Sequence, residues 1–386
     1  MINSSIFDRL KNLQTPFYYY NKTLLEQTLT KVTQLAKQYQ FHIHYAMKAN
    51  TESEILNAIQ LHGLGADCVS GNEIKAAIQH GFSKEKIVYA GVGKSDWEMD
   101  YALDQDIFCF NAESIQELQV LNERAQLKNK IAQIALRINP NVASNTHHYI
   151  TTGLDENKFG INLPDINEII DLLPSLSNIS MIGLHFHIGS QITDMQPFKS
   201  LCLKVNQIVN SLAQRNIRVK IINVGGGLGI DYHHPNEQPF ADFEAFFSTF
   251  HQFLQVEKYQ EVHFELGRSI VAQCGHLISK ALFIKKGTNT RFLILDAGMS
   301  ELIRPALYQA YHQIDNLSAE FERESQVLAT YDVVGPICES SDCFGKAVEL
   351  PESFRNDLFS IRSAGAYGQV MASNYNLREK PASHYF

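Results

Sequence analysis

The stretch FHIHYAMKAN (residues 41–50) has the pattern of a buried strand that stops at a lysine. Its first part is rich in aromatic and β-branched residues, the types that fit a pleated surface. Behind it, Thr51 to Leu61 carries Ile55, Leu56 and Ile59 on one helical face and ends near Gly63. A strand followed at once by an amphipathic helix is one half of a βαβ unit. The same alternation repeats downstream. GADCVS (65–70), IVYAG (87–91), IFCFN (107–111), IALRINP (134–140), IGLHFHIGS (182–190), IINVGGG (221–227) and VHFELGR (262–268) are the further apolar runs. They lie about 20–45 residues apart, with helical patterns between them. Eight such units close naturally into a (β/α)8 TIM-like barrel, and a doubly wound open sheet is the alternative.

Local signals support the helices. Ser70-Gly71-Asn72-Glu73 reads as a capping box, with Gly81 as the stop. Asn111 is a candidate cap for the helix that carries Ile115, Leu118 and Leu121. After about residue 275 the rhythm changes. LISKALFIKK, RFLILDAG, YDVVGPIC and LFSIRSAG read as strands joined by turns. The expected organisation is a barrel over 22–275, with 1–21 and 276–386 forming a second, C-terminal β-rich domain. TPFYYY (15–20) is the strand expected to return to it.

Composition narrows the function. The 386 residues are 45% hydrophobic and 19% charged, with net charge −8. That is a chain with a large core, and it lacks the basic patch that nucleic acid requires. No apolar run reaches the length of a membrane helix, and MINSSIFDRLKNLQTPF does not read as a signal peptide. The six cysteines are scattered, with no C-x-x-C pair, which points to reduced thiols in a cytoplasmic protein.

In such barrels chemistry sits at the C-terminal ends of the strands. Those ends carry Lys48, Asp67 with Ser70, Asn111, Arg137, His187 with Ser190, Gly225 to Gly227, and Glu265 with Arg268. A partly buried lysine there suits Schiff-base chemistry. Gly225-Gly226-Gly227-Leu228-Gly229 is either a phosphate cradle or a tight turn, and Ile230 breaks the dinucleotide pattern. Glu265 is either an active carboxylate or half of a structural pair with Arg268. His185 and His187 share a sheet face, but no further ligand set of suitable spacing supports a metal.

Taken together, YAMKAN (45–50), GADCVSGNE (65–73), TTGLDENKFGI (151–161), GLHFHIGSQI (183–192), NVGGGLGI (223–230), ELGRSIVA (265–272), DAGMSELIRPALYQAYH (296–312), VVGPICES (333–340) and AGAYG (364–368) resemble the fold-type III decarboxylases that use pyridoxal 5'-phosphate (PLP). The resemblance runs from about Thr15 to the end of the chain. It implies an alanine racemase-like fold and a set of roles. Lys48 carries the cofactor, His187 stacks on its ring, and Glu265 pairs with the pyridine nitrogen. Ser190, Gly226, Gly227, the Glu265–Gly267–Arg268 segment and Tyr367 hold the phosphate, with Asp67 and Arg137 among the cofactor contacts. Arg268, Arg304, Tyr308 and Tyr367 are the substrate contacts, Glu339 meets a substrate amino group, and Cys338 protonates the carbon that loses CO2. The family builds this site at a homodimer interface. The family usually has proline where Leu266 stands, which leaves Glu265 and Arg268 in register. The implied substrate is meso-diaminopimelate, whose distal head needs a cationic grip such as Arg304 with Tyr308 one helical turn away. Decarboxylation of ornithine, arginine or a carboxylated polyamine, and a non-catalytic PLP carrier, are the alternatives.

Overall fold

The computed structural model describes residues 2–142, 158–324 and 327–386. Residues 151–157 of the TTGLDENKFGI motif lie outside them. The chain forms two compact units.

The first strand, β1 (Phe17–Tyr20), belongs to the β-rich unit described below. The barrel unit comprises residues 28–229 and 242–267. Its strands are β2 (Phe41–Ala46), β3 (Gly65–Cys68), β4 (Ile87–Tyr89), β5 (Cys109–Ala112), β6 (Ala132–Arg137), β7 (Ile179–His185), β8 (Ile221–Asn223) and β9 (Glu261–Leu266). Each pairs in parallel with the next, and β9 returns to β2 to close the cylinder. The open-sheet alternative is thereby excluded. The eight apolar runs of the sequence are these eight strands. They are short and buried, as strands covered on both faces must be.

The helices follow their caps. Ser70 accepts the Glu73 N–H at 3.2 Å and starts the helix Gly71–Gln79. The return arm of the expected box goes to the Val69 N–H instead, which Glu73 accepts at 2.7 Å. The Asn111 cap is a correction. Ser114 caps the helix Ile115–Leu127 by accepting from Glu117 N–H at 3.1 Å. Asn111 lies three residues upstream inside β5, and its side chain is used elsewhere.

The second unit comprises residues 1–27, 230–241 and 268–386. Its strands after the barrel are β10 (Gly275–Lys286), β11 (Arg291–Leu295), β12 (Ile314–Asn316), β13 (Leu328–Val334), β14 (Cys343–Pro351), β15 (Leu358–Ile361) and β16 (Ala382–Tyr385). They run in the order β12-β15-β10-β11-β13-β14, and β1 pairs with both β10 and β16. Phe7, Leu10, Phe17, Tyr19 and Ile278 form an apolar core cluster of this unit.

Candidate active site

Parallel strands put all their C-terminal ends on one rim, so residues far apart in sequence meet there. Glu265, one residue before the end of β9, is the centre of a buried polar cluster. Its Oε1 accepts from Asn223 Nδ2 at 2.8 Å and from Asn111 Nδ2 at 3.2 Å. Its Oε2 lies 3.0 Å from His185 Nε2. Burial alone would raise this carboxyl group. His185, by charge and by its hydrogen bond, and the Lys48 ammonium more than reverse that and hold it well below the usual carboxylate range.

Lys48 follows β2 in a short turn, Met47–Ala49. Its side chain is 39% exposed, partly buried as expected, and its Nζ sits 2.9 Å from Asp67 Oδ2. Asp67, on β3, is fully buried. Burial pushes its carboxyl group up, and so does the charge on Glu265, while Lys48 opposes both. His187 lies two residues past β7. Its imidazole is pushed down to about 3 by burial and by the cations of Arg137 and Lys48. The Gly226 N–H donates to its Nδ1 at 3.4 Å, as it must to a neutral ring.

The glycines are required by close approach. A Cβ at Gly226 would stand 1.8 Å from the Glu265 carbonyl oxygen, and one at Gly225 2.2 Å from that of Phe186. The loop after β7 and the glycine loop after β8 are tied together: Ile192 N–H donates to Gly227 O, and Gly229 N–H to Ile192 O, each at 2.9 Å. Ser190 is carried on the first of these loops. Gly267 is fixed by packing, since a Cβ there would lie 3.0 Å from that of Ala49. Arg137, last in β6, is buried and paired with Glu113 at 2.8 Å, with Phe159 beneath it at 4.7 Å. Glu113 also accepts the Gly91 and Gly160 N–H groups.

The β-rich unit holds a second cluster. Arg268 and Arg304 are 7% and 5% exposed, so both guanidinium groups are nearly removed from water. Both donate through Nη1 to one hydroxyl, Tyr232 Oη, at 2.8 and 3.0 Å. Burial pushes this phenol up, but the two guanidinium groups outweigh it and lower it. Arg304 also donates to His312 Nε2 at 2.9 Å. His312 Nδ1 must carry the proton, because it faces the Arg362 carbonyl at 2.7 Å, so Nε2 is a free acceptor. Burial and Arg304 push this imidazole down to about 3. Tyr367 lies under Arg268, its ring centroid 4.9 Å from the guanidinium carbon. Tyr308 ends the short helix Arg304–Tyr308. Cys338 and Glu339 are exposed, and Glu339 accepts the Tyr375 hydroxyl at 2.7 Å.

Four members of these clusters were not expected as site residues: His185, Asn223, Tyr232 and His312. Asn111 was read both as one of the polar strand ends and as a helix cap, and the cap role belongs to Ser114. The i, i+2 spacing with His187 drew attention to His185 only as a metal ligand. Nothing local marks Tyr232 or His312.

These buried histidines make a pH prediction. His44, His187 and His312 titrate at about 4, 3 and 3 in the fold, and burial also holds His263 and His276 well below the ordinary range. An unfolded histidine titrates near 6.5. Below that pH the unfolded chain binds more protons than the folded one, so stability falls as pH falls. Each such histidine contributes up to about 1.4 kcal/mol per pH unit between about 6.5 and its folded value. Denaturant unfolding at pH 7 and pH 5 should therefore differ by several kcal/mol. Equal stabilities at the two values would contradict the buried neutral assignments.

A family model described as "Pyridoxal-dependent decarboxylase, pyridoxal binding domain" matches residues 24–272. The chain belongs to the pyridoxal-dependent decarboxylases, and the family's cofactor is PLP. Within that class its relatives are diaminopimelate decarboxylases. The one from Bacteroides thetaiotaomicron is 55% identical over 378 residues, covering 98% of this chain and 97% of the relative. The one from Helicobacter pylori J99 is 40% identical, covering 95% of this chain and 89% of the relative. The crystal structure of the Helicobacter pylori enzyme complexed with L-lysine superposes with a TM-score of 0.91, at 38% identity, over 98% of this chain and 93% of that one. The fold is that of this alanine racemase-like group.

The barrel cluster fits the cofactor by its donor set. It offers a primary amine for an aldehyde, an ionised carboxylate for a protonated ring nitrogen, a neutral imidazole to lie against a ring, and a glycine loop open to close backbone approach.

Proposed function

We propose that this enzyme decarboxylates meso-2,6-diaminopimelate to L-lysine and CO2, the last step of lysine biosynthesis. The buried carboxylate of Glu265, held ionised at the barrel rim, with Lys48 in the turn that follows the neighbouring strand β2, is the observation that carries the reading. Lys48 would hold the cofactor through its aldehyde, and as a free amine it would act as a base at the reacting carbon. Asp67 holds that amine in place. Glu265 would pair with the cofactor's ring nitrogen, and His187 would lie against its ring. Ser190, Gly226, Gly227, Gly267, Arg268 and Tyr367 hold the phosphate, and Arg137 braces the rim. Bound PLP supplies the sink for the electron pair left when the carboxylate departs as CO2. The C–C bond breaks, and a new C–H bond forms with the proton delivered by the Cys338 thiol.

Arg304 supports the choice of substrate. Among the described residues its hydrogen-bond acceptors are a phenol and a neutral imidazole. Burial makes its charge costly, and Arg268 adds like-charge repulsion. A substrate carboxylate would relieve that cost, with Tyr308 and Arg268 beside it. Meso-diaminopimelate offers a distal carboxylate and ornithine does not. Glu339 suits the distal ammonium.

Purified holoenzyme should release CO2 from meso-diaminopimelate with kcat/KM at least about a hundredfold above that for ornithine or arginine, the ratio that one unmet buried charge supports. Faster release from ornithine would overturn the assignment.

The exposure of Cys338 and Glu339 is consistent with their use by a second subunit in a homodimer. Mixed Lys48→Ala and Cys338→Ala subunits should then regain activity that neither has alone. Confirmed heterodimers without activity would exclude shared sites. All six cysteines are free, which suits a reducing cytoplasm, and among the described residues no helix is long and apolar enough to cross a membrane.

A further inference from the structure

The opposite end of the barrel carries a histidine cluster that the decarboxylation chemistry does not use. His42 and His44 lie on β2, and Glu261 and His263 on the adjacent β9. His42 is directly paired in register with His263. Residues two apart on a strand share a face, so all four side chains converge. The four residue steps from His42 to Ala46 span roughly 13 Å of strand, which separates this end from Lys48 beyond it.

The protonation pattern follows from the hydrogen bonds. His44 Nδ1 faces the Lys86 carbonyl oxygen at 3.0 Å, which only accepts, so Nδ1 carries the proton. With its proton on Nδ1, His44 presents Nε2 as an acceptor. His263 Nδ1, 2.8 Å away, must donate to it. That leaves His263 Nε2 as a bare lone pair. It is buried, on a side chain 5% exposed, and has no hydrogen-bond partner among the described residues. What it faces is another acceptor, Glu261 Oε2, at 3.5 Å. Two acceptors aimed at one another need a cation between them.

We infer that His42, Glu261 and His263 form a binding site for a divalent transition-metal ion of the Zn2+, Co2+ or Ni2+ class. Their ligand atoms all lie within 4.8 Å of one another. The 3.5 Å between His263 and Glu261 is close to the edge of a tetrahedron with bonds of about 2.1 Å, roughly 3.4 Å. His42 is exposed, its ring stacked on that of His263 with centroids 4.7 Å apart. Two imidazoles and one carboxylate match the donor preference of these ions, and leave a position open to solvent. The Lys86 carbonyl, His44 and His263 form the chain of outer hydrogen bonds that fixes a metal-binding tautomer. Lys220, 3.4 Å from the other Glu261 oxygen, engages Oε1 and leaves Oε2 for the ion.

The test is a Co2+ titration of the PLP-loaded enzyme followed by d–d absorption, with Zn2+ as competitor. Wild type should bind one ion per chain at this site. His42→Ala should weaken binding by about tenfold or more, as should Glu261→Gln. Both variants should keep wild-type CO2 release, because they lie away from the rim chemistry; this also shows that they fold. Identical Co2+ affinity and spectra in all three proteins would overturn the site. So would the absence of any Co2+ absorption in wild type, which would assign the gap between His263 and Glu261 to a proton.

Discussion

Lys48→Ala is expected to lose the visible absorption of lysine-linked cofactor and to lower turnover by about a thousandfold or more. The amine has two uses in the account, holding the cofactor aldehyde and moving protons at the reacting carbon. A single proton-transferring group contributes about 10²–10⁴-fold. The alanine protein should still fold, since the side chain is 39% exposed and its ion pair with Asp67 is the main interaction lost. That loss has a cost. Asp67 is fully buried, and without the ammonium it takes up a proton more readily, in the direction burial already pushes it. The expected signature is therefore a folded protein without the absorption band and with slightly reduced stability. A retained band of full intensity would place the cofactor on another lysine.

Arg304→Ala should cost about 2–5 kcal/mol in kcat/KM for meso-diaminopimelate, the range for removing one partner of a buried charge pair. The guanidinium is fixed before substrate arrives, by Tyr232 and by His312 in a defined tautomer. Little rotamer entropy remains to be lost on binding, so its contribution to affinity should be large. Truncation leaves Tyr232 with Arg268 alone and removes the like-charge repulsion on Arg268, so the fold should tolerate it. Lysine at this position would restore charge without the two-point grip and should recover only part of the loss. An unchanged kcat/KM in Arg304→Ala would remove this residue from the substrate contacts.

The barrel was legible because its signals are local. Each strand is a short apolar run, and each ends where the polarity changes, as at Lys48 and Glu265. The helix start at Ser70 was legible for the same reason. Asn111 was not, because any polar residue shortly before a helix can read as its cap. Ser114 stands closer to that helix, and Asn111 is drawn away by Glu265, 154 residues downstream. Only strand closure brings β5 and β9 to one rim. The Tyr232 cluster was hidden for a related reason. The segment 230–241 interrupts the barrel between β8 and β9 but packs with the β-rich unit, where Tyr232 meets Arg304, 72 positions away. No spacing rule links such residues. The metal-type cluster is of the same kind, since His42 and His263 are neighbours only through the pairing of the first and last barrel strands.

The most direct measurement is where the cofactor is attached. Borohydride reduction of the PLP-loaded enzyme, followed by proteolysis and mass spectrometry, should find one modified residue per chain, Lys48. A pyridoxyl group on any other lysine, or none on the peptide that contains YAMKAN, would contradict the account at its root.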